Sequence, residues 1–523
     1  MADKSFKTKH RISDIKKISK FNRPMIELTR YGVLMGLPIL SELEELVRSG
    51  NFREVQRQLK KINIKQIPRD QAQAYANISR RVFDFRLALR ILNPIVRAEN
   101  SFQQPAIETE LIEYAESLRR VGAVSEAVKI LEGINRKKFP QAGFHLALCH
   151  MAQWRTAPVI NLLTEYIASF SEPTYAQCVA KVNLAAALIA EEHLSEASSL
   201  LDELLIETKE KSFKLLYGNT NELSAQIEIL HKKNWQQADK YLSDAMTVLG
   251  DSTNSADLLF IQKWQAVMES YQAERATESL YKVRQRAVEI QHWETIRSCD
   301  FYIAKINQDI PALVRLYFAT PFESFRKKII TEPGLNEAIP DSYVWHQEGV
   351  NPKRVFNVTL GESEDGTMSL PTGQALHLLL ILLTRDLYRP QPLLSLFAGV
   401  FQNEYFNPES SANRIHQLTK RLREWIAEND LPVELKELDG NYNLQITGSL
   451  GFVLPKQPLP LCQHELELIK LATKVGEQFT AKEAAQGVST SLATVQRLLV
   501  WGAESGRIEV LGKGPKTRYR LAG

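Results

Sequence analysis

The chain has 523 residues, 44% of them hydrophobic and 24% charged, and a formal net charge of +4. That length exceeds what one hydrophobic core serves, so several domains are expected. The balance excludes a disordered chain, and it carries no global signature of nucleic-acid binding, so any affinity for phosphate must come from local patches. The N-terminal segment, residues 1–40, is basic: Lys4, Lys7, Lys9, Arg11, Lys16, Lys17, Lys20 and Arg23 face few acids. It has no apolar stretch of the kind a secretory signal needs. It reads either as a solvated tail or as a non-specific phosphate-binding arm. Cys149, Cys178, Cys299 and Cys462 form no CxxC pair. Their spacing argues against a disulfide framework or a Cys-rich zinc site and fits a reducing cytoplasm. The longest apolar run, near Leu376–Leu383, is too short to span a bilayer. No cofactor and no membrane partner are expected.

From about Ser41 to Phe318 the apolar residues follow a helical period, and the helices come in pairs. SELEELVRSG with NFREVQRQLKKI is one pair, and ELIEYAESLRRVG with AVSEAVKILEGI is another. The breaks inside the pairs fall near Gly50, Val82, Gly122, Gln153, Glu192, Lys233 and Ala273, roughly 30–41 residues apart, which is the range of helical solenoids. Tyr114, Ala115, Leu118, Gly122, Ala127 and Leu131 resemble a tetratricopeptide (TPR) unit. So do Asn183, Leu184, Leu188, Ala197 and Leu201, and more weakly Ala238 and Leu242. The resemblance covers about half the chain, with drifting unit lengths and aromatic positions. It implies a solenoid over residues 41–320 whose concave face takes a protein or peptide, or a second copy of the chain. Tyr114, Arg119, Asn183 and Asn221, on the first helices of their pairs, are the candidate partner-binding residues. Cys149 and His150 are adjacent and so point to different helix faces, one buried and one on the surface. They are not read as a catalytic pair.

Periodicity fails after Thr320, and Pro321, Pro333-Gly334 and Pro340 mark residues 321–351 as a linker. The grammar then changes. VFNVTL is a strand, TGQALHLLLILLTRDLY a buried helix, QPLLSLFAGVF a shorter one, SSANRIHQLTKRLREWIAEN a third, and VELKELDGNYNLQI a hairpin turning at Asp439-Gly440-Asn441. On the third helix Ile415, Leu418, Leu422 and Ile426 share the inward face. Asn413, Gln417 and Lys420 lie opposite, flanked by His416 and Arg423 on one side and by Arg414 and Arg421 on the other. Residues 352–455 resemble the OmpR/PhoB-type winged-helix domain of bacterial transcription factors. The likeness rests on the Arg-Leu-Arg pattern at Arg421–Arg423 and on Gly440-Asn441-Tyr442 at the hairpin. It departs at Asn441, where a second glycine is usual, and at Thr419, where an aliphatic residue is usual. The resemblance implies that the third helix enters the major groove of duplex DNA, where Asn, Gln and Arg can read base edges. Glu434, Glu437 and Asp439 in the hairpin oppose this, because they repel phosphate.

After the Pro-rich join at Val453–Leu461 a second, shorter set follows in residues 456–523. HELELIKLATKVG is an amphipathic helix. Thr480 and Glu483 form a capping box at the start of the next. VSTSLATVQRLLVWGAESGRIEVLGKGPKTRYRL is similar to the helix-turn-helix and wing of DeoR- and MarR-like regulators. Val495, Leu498, Leu499 and Gly502 form the inward face. Thr490, Ala493 and Arg497 point outward, with Thr494 and Gln496 beside them, and Lys513, Lys516, Arg518 and Arg520 line the wing. The likeness implies base contacts from the early helix and phosphate contacts from the wing. Gly512–Thr517 lacks the spacing of a phosphate loop, and no catalytic motif is visible. The expected architecture is therefore mostly α: a TPR-like helical-repeat solenoid with two C-terminal α+β winged-helix domains. The expected function is non-enzymatic duplex-DNA binding by a cytoplasmic transcriptional regulator. A scaffold whose winged helices bind protein is the alternative.

Overall fold

The computed structural model describes residues 37–523 apart from 98–103, 251–254, 274–275, 336–337, 372, 403, 458, 460–461, 477, 489–490, 515–516 and 522–523. Residues 1–36 of the basic segment expected at residues 1–40, together with Thr490 and Lys516, lie outside the described residues. The chain divides into two compact units, one running to Asn307 and including Asn407–Glu409, the other made of Gln308–Phe406 and the residues from Ser410 on.

The first unit is a stack of paired helices. The pairs are α1 (Leu40–Arg48) with α2 (Phe52–Leu59), α3 (Ala72–Arg81) with α4 (Phe85–Val96), and α5 (Glu108–Val121) with α6 (Val124–Glu132). Then come α7 (Pro140–Ala152) with α8 (Ala157–Ala168), α9 (Tyr175–Ala190) with α10 (Leu194–Glu210), and α11 (Lys214–Ile227) with α12 (Trp235–Leu249). The last pair is α13 (Ser255–Gln272) with α14 (Glu278–Glu289), and α15 (Trp293–Asn307) follows it. From α3 onward each helix packs on the next, and first helices also touch one another, as α1 touches α3, α3 touches α5, and α11 touches α13. This is the TPR-like helical repeat expected from the sequence. Ala127, Ala197 and Ala238 are fully buried where paired helices approach, so each occupies a contact that a larger side chain would push apart.

Every expected break lies between two helices, and most share one device. Gly50, Phe83, Gly122, Trp154, Glu192 and Lys233 adopt positive φ. At Gly122 the amide donates to the Arg119 carbonyl and the next amide, of Ala123, to the Leu118 carbonyl. The same double closure recurs with Glu192 to Ile189 and His193 to Leu188. These left-handed caps satisfy the last carbonyls of the first helix and turn the chain into the second. Glycine fills only two of the six positions; the others carry side chains in a conformation that costs an L-residue roughly 1–2 kcal/mol.

Between neighbouring first helices the stack is polar. Glu110, Glu113 and Glu116 on α5 are all nearly buried. Arg69 reaches Glu110; Asn77 and Arg80 on and beside the same turn of α3 reach Glu113. Glu116 accepts from Arg119 at 2.8 Å and Arg120 at 3.0 Å, and lies 3.1 Å from His145 of α7. Burial alone would raise the Glu116 carboxyl, but the hydrogen bonds from His145 and Arg119 outweigh it and hold the group well below the usual carboxylate range.

The second unit opens with α16 (Ile310–Ala319) and α17 (Glu323–Thr331). The strands and helices that follow are β1 (Ser342–His346), β2 (Arg354–Asn357), β3 (Glu362–Ser363), α18 (Gln374–Arg385), β4 (Gln391–Pro392), α19 (Leu393–Val400) and α20 (Ser411–Glu428). Next are β5 (Val433–Leu438), β6 (Asn441–Ile446) and β7 (Leu450–Pro455). The stretch expected as a linker is therefore structured: it holds α17 and β1. The Pro-rich join is structured at its head, because Val453–Pro455 completes β7. β7 lies inside a four-stranded sheet of order β1-β7-β2-β3, antiparallel to β1 and parallel to β2. A second sheet has the order β4-β6-β5, and its hairpin turns at Asp439 (φ 52) and Gly440 (φ 75), the two-residue turn that positive φ at both positions permits.

Trp425 anchors α20 to the first sheet. Its ring meets Phe356 edge-on at 5.3 Å, Phe356 meets Phe452, and its indole N–H donates to the Ser369 carbonyl at 2.9 Å. Ile415, Leu418 and Leu422 are buried as expected, but the fourth inward residue is Trp425, at 3% exposure, and Ile426 is only half-buried. Thr419 is buried, its hydroxyl bonded to the His416 carbonyl, so a polar residue is accommodated at an inward position.

The chain ends with α21 (Gln463–Val475), α22 (Ala481–Gly487), α23 (Leu492–Glu504) and the hairpin of β8 (Ile508–Leu511) and β9 (Arg518–Leu521). Leu468, Leu471, Phe479, Val495, Leu498, Leu499 and Ile508 form one core. The capping box at Thr480 and Glu483 is present. Gly502 faces Ile508 so closely that a Cβ there would stand 2.9 Å from Ile508 Cγ1. That contact lets the hairpin pack flat on α23.

The left-handed caps give a direct stability test. Glu192 is exposed at φ 64 and Gly122 sits at φ 94. Glu192→Gly is expected to raise the stability of the chain by about 1 kcal/mol and Gly122→Ala to lower it by a similar amount, read as opposite shifts of the urea midpoint at unchanged m.

Candidate nucleic-acid interface

The solenoid residues expected to meet a partner are mostly structural. Tyr114 is fully buried, with its hydroxyl 3.0 Å from Asn93 Oδ1, and Arg97 lies over its ring. Asn221 is 1% exposed and its amide donates to the Tyr217 carbonyl one turn back. Neither can line a surface, because packing against adjacent helices covers both. Asn183 is half-buried and closes the same bond to Val179, at 2.8 Å. Arg119 is held by Glu116. Cys149 and His150 are both buried, where one surface residue was expected. Burial pushes the Cys149 thiol up to about 12 and lowers the His150 imidazole, so neither is activated.

A feature the sequence does not announce is an open cleft of about 610 Å³ beside α12 and α13, lined by Lys233, Asn234, Trp235, Asp239, Met268 and Gln272. Trp235 stacks on Tyr271, and the Lys233 ammonium lies 5.0 Å from the Tyr271 ring centre. A five-residue π-turn at Glu228–Lys232 produces the approach, and nothing in local composition signals such a turn.

On α20, Asn413, His416, Gln417, Lys420, Arg421 and Arg423 are exposed and Arg414 is half-buried. Most of their charge already has a partner. Arg414 forms an ion pair with Glu404 and lies 3.7 Å from the centre of the Phe401 ring. Lys420 is 3.7 Å from Glu424. Arg423 donates to the Leu435 carbonyl on the outer edge of β5 at 3.2 Å. His416 Nδ1 is 3.0 Å from the Tyr442 hydroxyl. Asn413, Gln417 and Arg421 have no such partner among the described residues. Beside this helix the hairpin presents Glu434, Glu437 and Asp439, all exposed, and Leu438 at 63% exposure. Residues 342–455 hold nine Lys and Arg against thirteen Asp and Glu. An anionic duplex would meet net negative charge here.

The last module has the opposite balance: residues 456–523 hold ten Lys and Arg against six acids. On α23 the inward residues Val495, Leu498, Leu499 and Gly502 are buried as expected. Ala493, Thr494, Gln496 and Arg497 are exposed. Ser491 caps the helix, accepting from the Thr494 amide. Arg497 rests against the Thr494 hydroxyl at 3.4 Å, which aligns its guanidinium along the helix toward its N-terminus. On the hairpin Lys513 is exposed, Arg518 donates to the Gln478 carbonyl at 3.4 Å and acts through space on the Glu483 carboxylate, and Arg520 is paired with Glu509. Among the described residues, no carboxylate stands within ion-pair distance of Arg497, Lys513 or Arg518. These three, with Thr494 and Gln496 beside them, are presented outward in a module with an excess of basic residues, whereas the exposed Asn413, Gln417 and Arg421 of α20 stand in a module with an excess of acids.

No family model matches this chain, and no curated protein matches it. Among solved structures it is similar to a Rap protein complexed with competence and sporulation factor, at 10% identity and a TM-score of 0.41, over 74% of this chain and 98% of that one. It is similar to the apo form of RapI at 13% identity and a TM-score of 0.37, over 53% of this chain and 84% of that one. It is also similar to TPR-like repeats of a putative kinesin light chain from Podosopora anserina, at 17% identity and a TM-score of 0.30, over 36% and 96%. At these values the likeness concerns repeated helices and supports no residue correspondence. Among the described residues no helix is long and apolar enough to cross a membrane.

The two modules differ in a way mutation can separate. Arg423→Ala leaves the Leu435 carbonyl without its donor and is expected to lower stability by about 1 kcal/mol while leaving retention on duplex DNA unchanged. A stable variant that loses DNA would contradict the assignment of Arg423 as a structural residue.

Proposed function

We propose that the chain is a non-enzymatic, cytoplasmic transcriptional regulator that reads duplex DNA through its last module, a winged helix made of α21, α22, α23 and the β8–β9 hairpin. α23 is the reading helix. Gln496 and Arg497 contact base edges, Gln suiting adenine and Arg suiting guanine through paired hydrogen bonds. Thr494 near the helix start, and Lys513 and Arg518 on the wing, hold phosphates and set the register. The observation that carries this reading is the set of cations presented outward without carboxylate partners, in a module with an excess of basic residues. Four free cysteines, none joined in a disulfide, agree with a reducing compartment.

The first module has the helices and hairpin of a winged helix, yet its cations are largely engaged inside the protein. We infer that it contributes little phosphate contact. The exposed acids and Leu438 at its hairpin favour the second reading, in which this module faces a protein. The helical repeat serves protein contacts in either reading, its stacked first helices forming the long surface such folds use.

The test is a salt titration of the full chain on duplex fragments. Binding is expected to fall steeply with salt, and Arg518→Ala or Lys513→Ala to weaken all sequences alike and reduce the salt slope by about one. Arg497→Ala is expected to cost about 1–3 kcal/mol on the preferred sequence and to flatten the preference. Binding that is unaltered in the triple variant would remove this module as the reader.

A further inference from the structure

The outward face of α23 is not uniformly polar. At 100° per residue, Ala493, Gln496, Arg497 and Val500 form one stripe directly opposite the buried Val495, Leu498, Leu499 and Gly502. Val500 is 56% exposed, and Leu492, beside Gln496, is 38% exposed. A single exposed apolar residue is ordinary. Here apolar residues stand one turn before and one turn after the Gln–Arg pair, on the same line. Packing does not explain this placement, because the core of the module lies on the other side of the helix and is filled by other residues.

From Ala493 to Val500 the helix rises about 10 Å, which matches roughly three base pairs at 3.4 Å each. In the major groove the apolar feature that distinguishes one base is the 5-methyl group of thymine, and small apolar side chains pack against it. We propose that Ala493 and Val500, with Leu492 at the edge, read thymine methyl groups on either side of the pair contacted by Gln496 and Arg497. The preferred duplex is then one with thymines flanking a central adenine or guanine. The positive wing, with Arg518 and Lys513, supplies the charge complementarity that commits this face to nucleic acid rather than to a protein. The inference rests on the reading of α23 as the DNA-reading helix and goes beyond it by naming what determines specificity.

Removing the methyl group alone tests it. Duplexes bound by the full chain are selected from a randomised pool, and the enriched sequence is then made with thymine or with deoxyuridine. Each lost methyl contact is expected to weaken binding roughly four-fold, the equivalent of one buried methyl-sized group. Val500→Ser is expected to bind the thymine duplex more weakly and to reduce its advantage over the uridine duplex, with an unchanged thermal midpoint. Two outcomes overturn the proposal while leaving DNA binding intact: equal affinity for both duplexes, or retention of DNA with no enriched sequence. No retention of any duplex at low salt removes the DNA-binding reading itself, and the methyl readout with it.

Discussion

A cation that already holds a carboxylate inside the protein has little left for an outside anion, and this constraint organises both halves of the chain. On α5, Glu110, Glu113 and Glu116 lie in the contact between successive first helices, where an unpaired charge would be costly. Arg69 and Arg80 reach Glu110 and Glu113 from the preceding turn and helix, and His145 of α7 reaches Glu116 from the following one, while Arg119 and Arg120 pair with Glu116 within α5. The repeats are therefore joined by a polar seam as well as by the alanine contacts within pairs. The same accounting separates the two C-terminal modules. Arg414, Lys420 and Arg423 on α20 have acceptors within the protein, whereas Arg497, Lys513 and Arg518 are directed outward.

Packing explains why two modules with similar element orders diverge. α20 is fixed by the aromatic contact of Trp425 with Phe356 and, through it, Phe452, which sits on the central strand β7. Arg423 closes the free edge of β5. Helix and hairpin of the first module are thus linked through Arg423 to the Leu435 carbonyl and through His416 to the Tyr442 hydroxyl. In the last module the hairpin is held by different means: the Phe479–Tyr519 bridge and the close approach of Ile508 to Gly502. Those contacts lie on the inner side, so the outer side of α23 and the basic strand remain open.

The helical pairs were legible because small residues and breaks recur at a solenoid spacing, and Ala127, Ala197 and Ala238 all prove to be contact residues. The inward stripe of α23 was legible for the same reason: a short helix against one core obeys its period. Three things were not. Residues 321–351 looked like a linker because β1 has no local partner; it pairs with β7 more than a hundred residues later, as Val344 with Val453. Tyr114 and Asn221 looked like surface residues because a polar side chain is assigned to solvent unless its acceptor is seen, and Asn93 and the Tyr217 carbonyl become visible only in three dimensions. Trp425 displaced Ile426 because a large ring one position earlier reaches a sheet that periodicity does not contain. Of the candidate residues on α20, all but the half-buried Arg414 are exposed. The contacts of Arg414 with Glu404, Arg423 with the Leu435 carbonyl and His416 with Tyr442 are made with loop and hairpin residues and were invisible along the helix.

The central claim is that DNA lies on α23 and the β8–β9 hairpin rather than on α20 and the β5–β6 hairpin. Amide hydrogen exchange of the full chain with and without saturating duplex DNA tests it most directly. Protection is expected over Ser491–Val500 and around Gly512–Arg518, with exchange at Ser411–Glu428 and Val433–Ile446 unchanged. Protection confined to α20 and its hairpin, or no protection of either module with bound DNA present, would contradict the account.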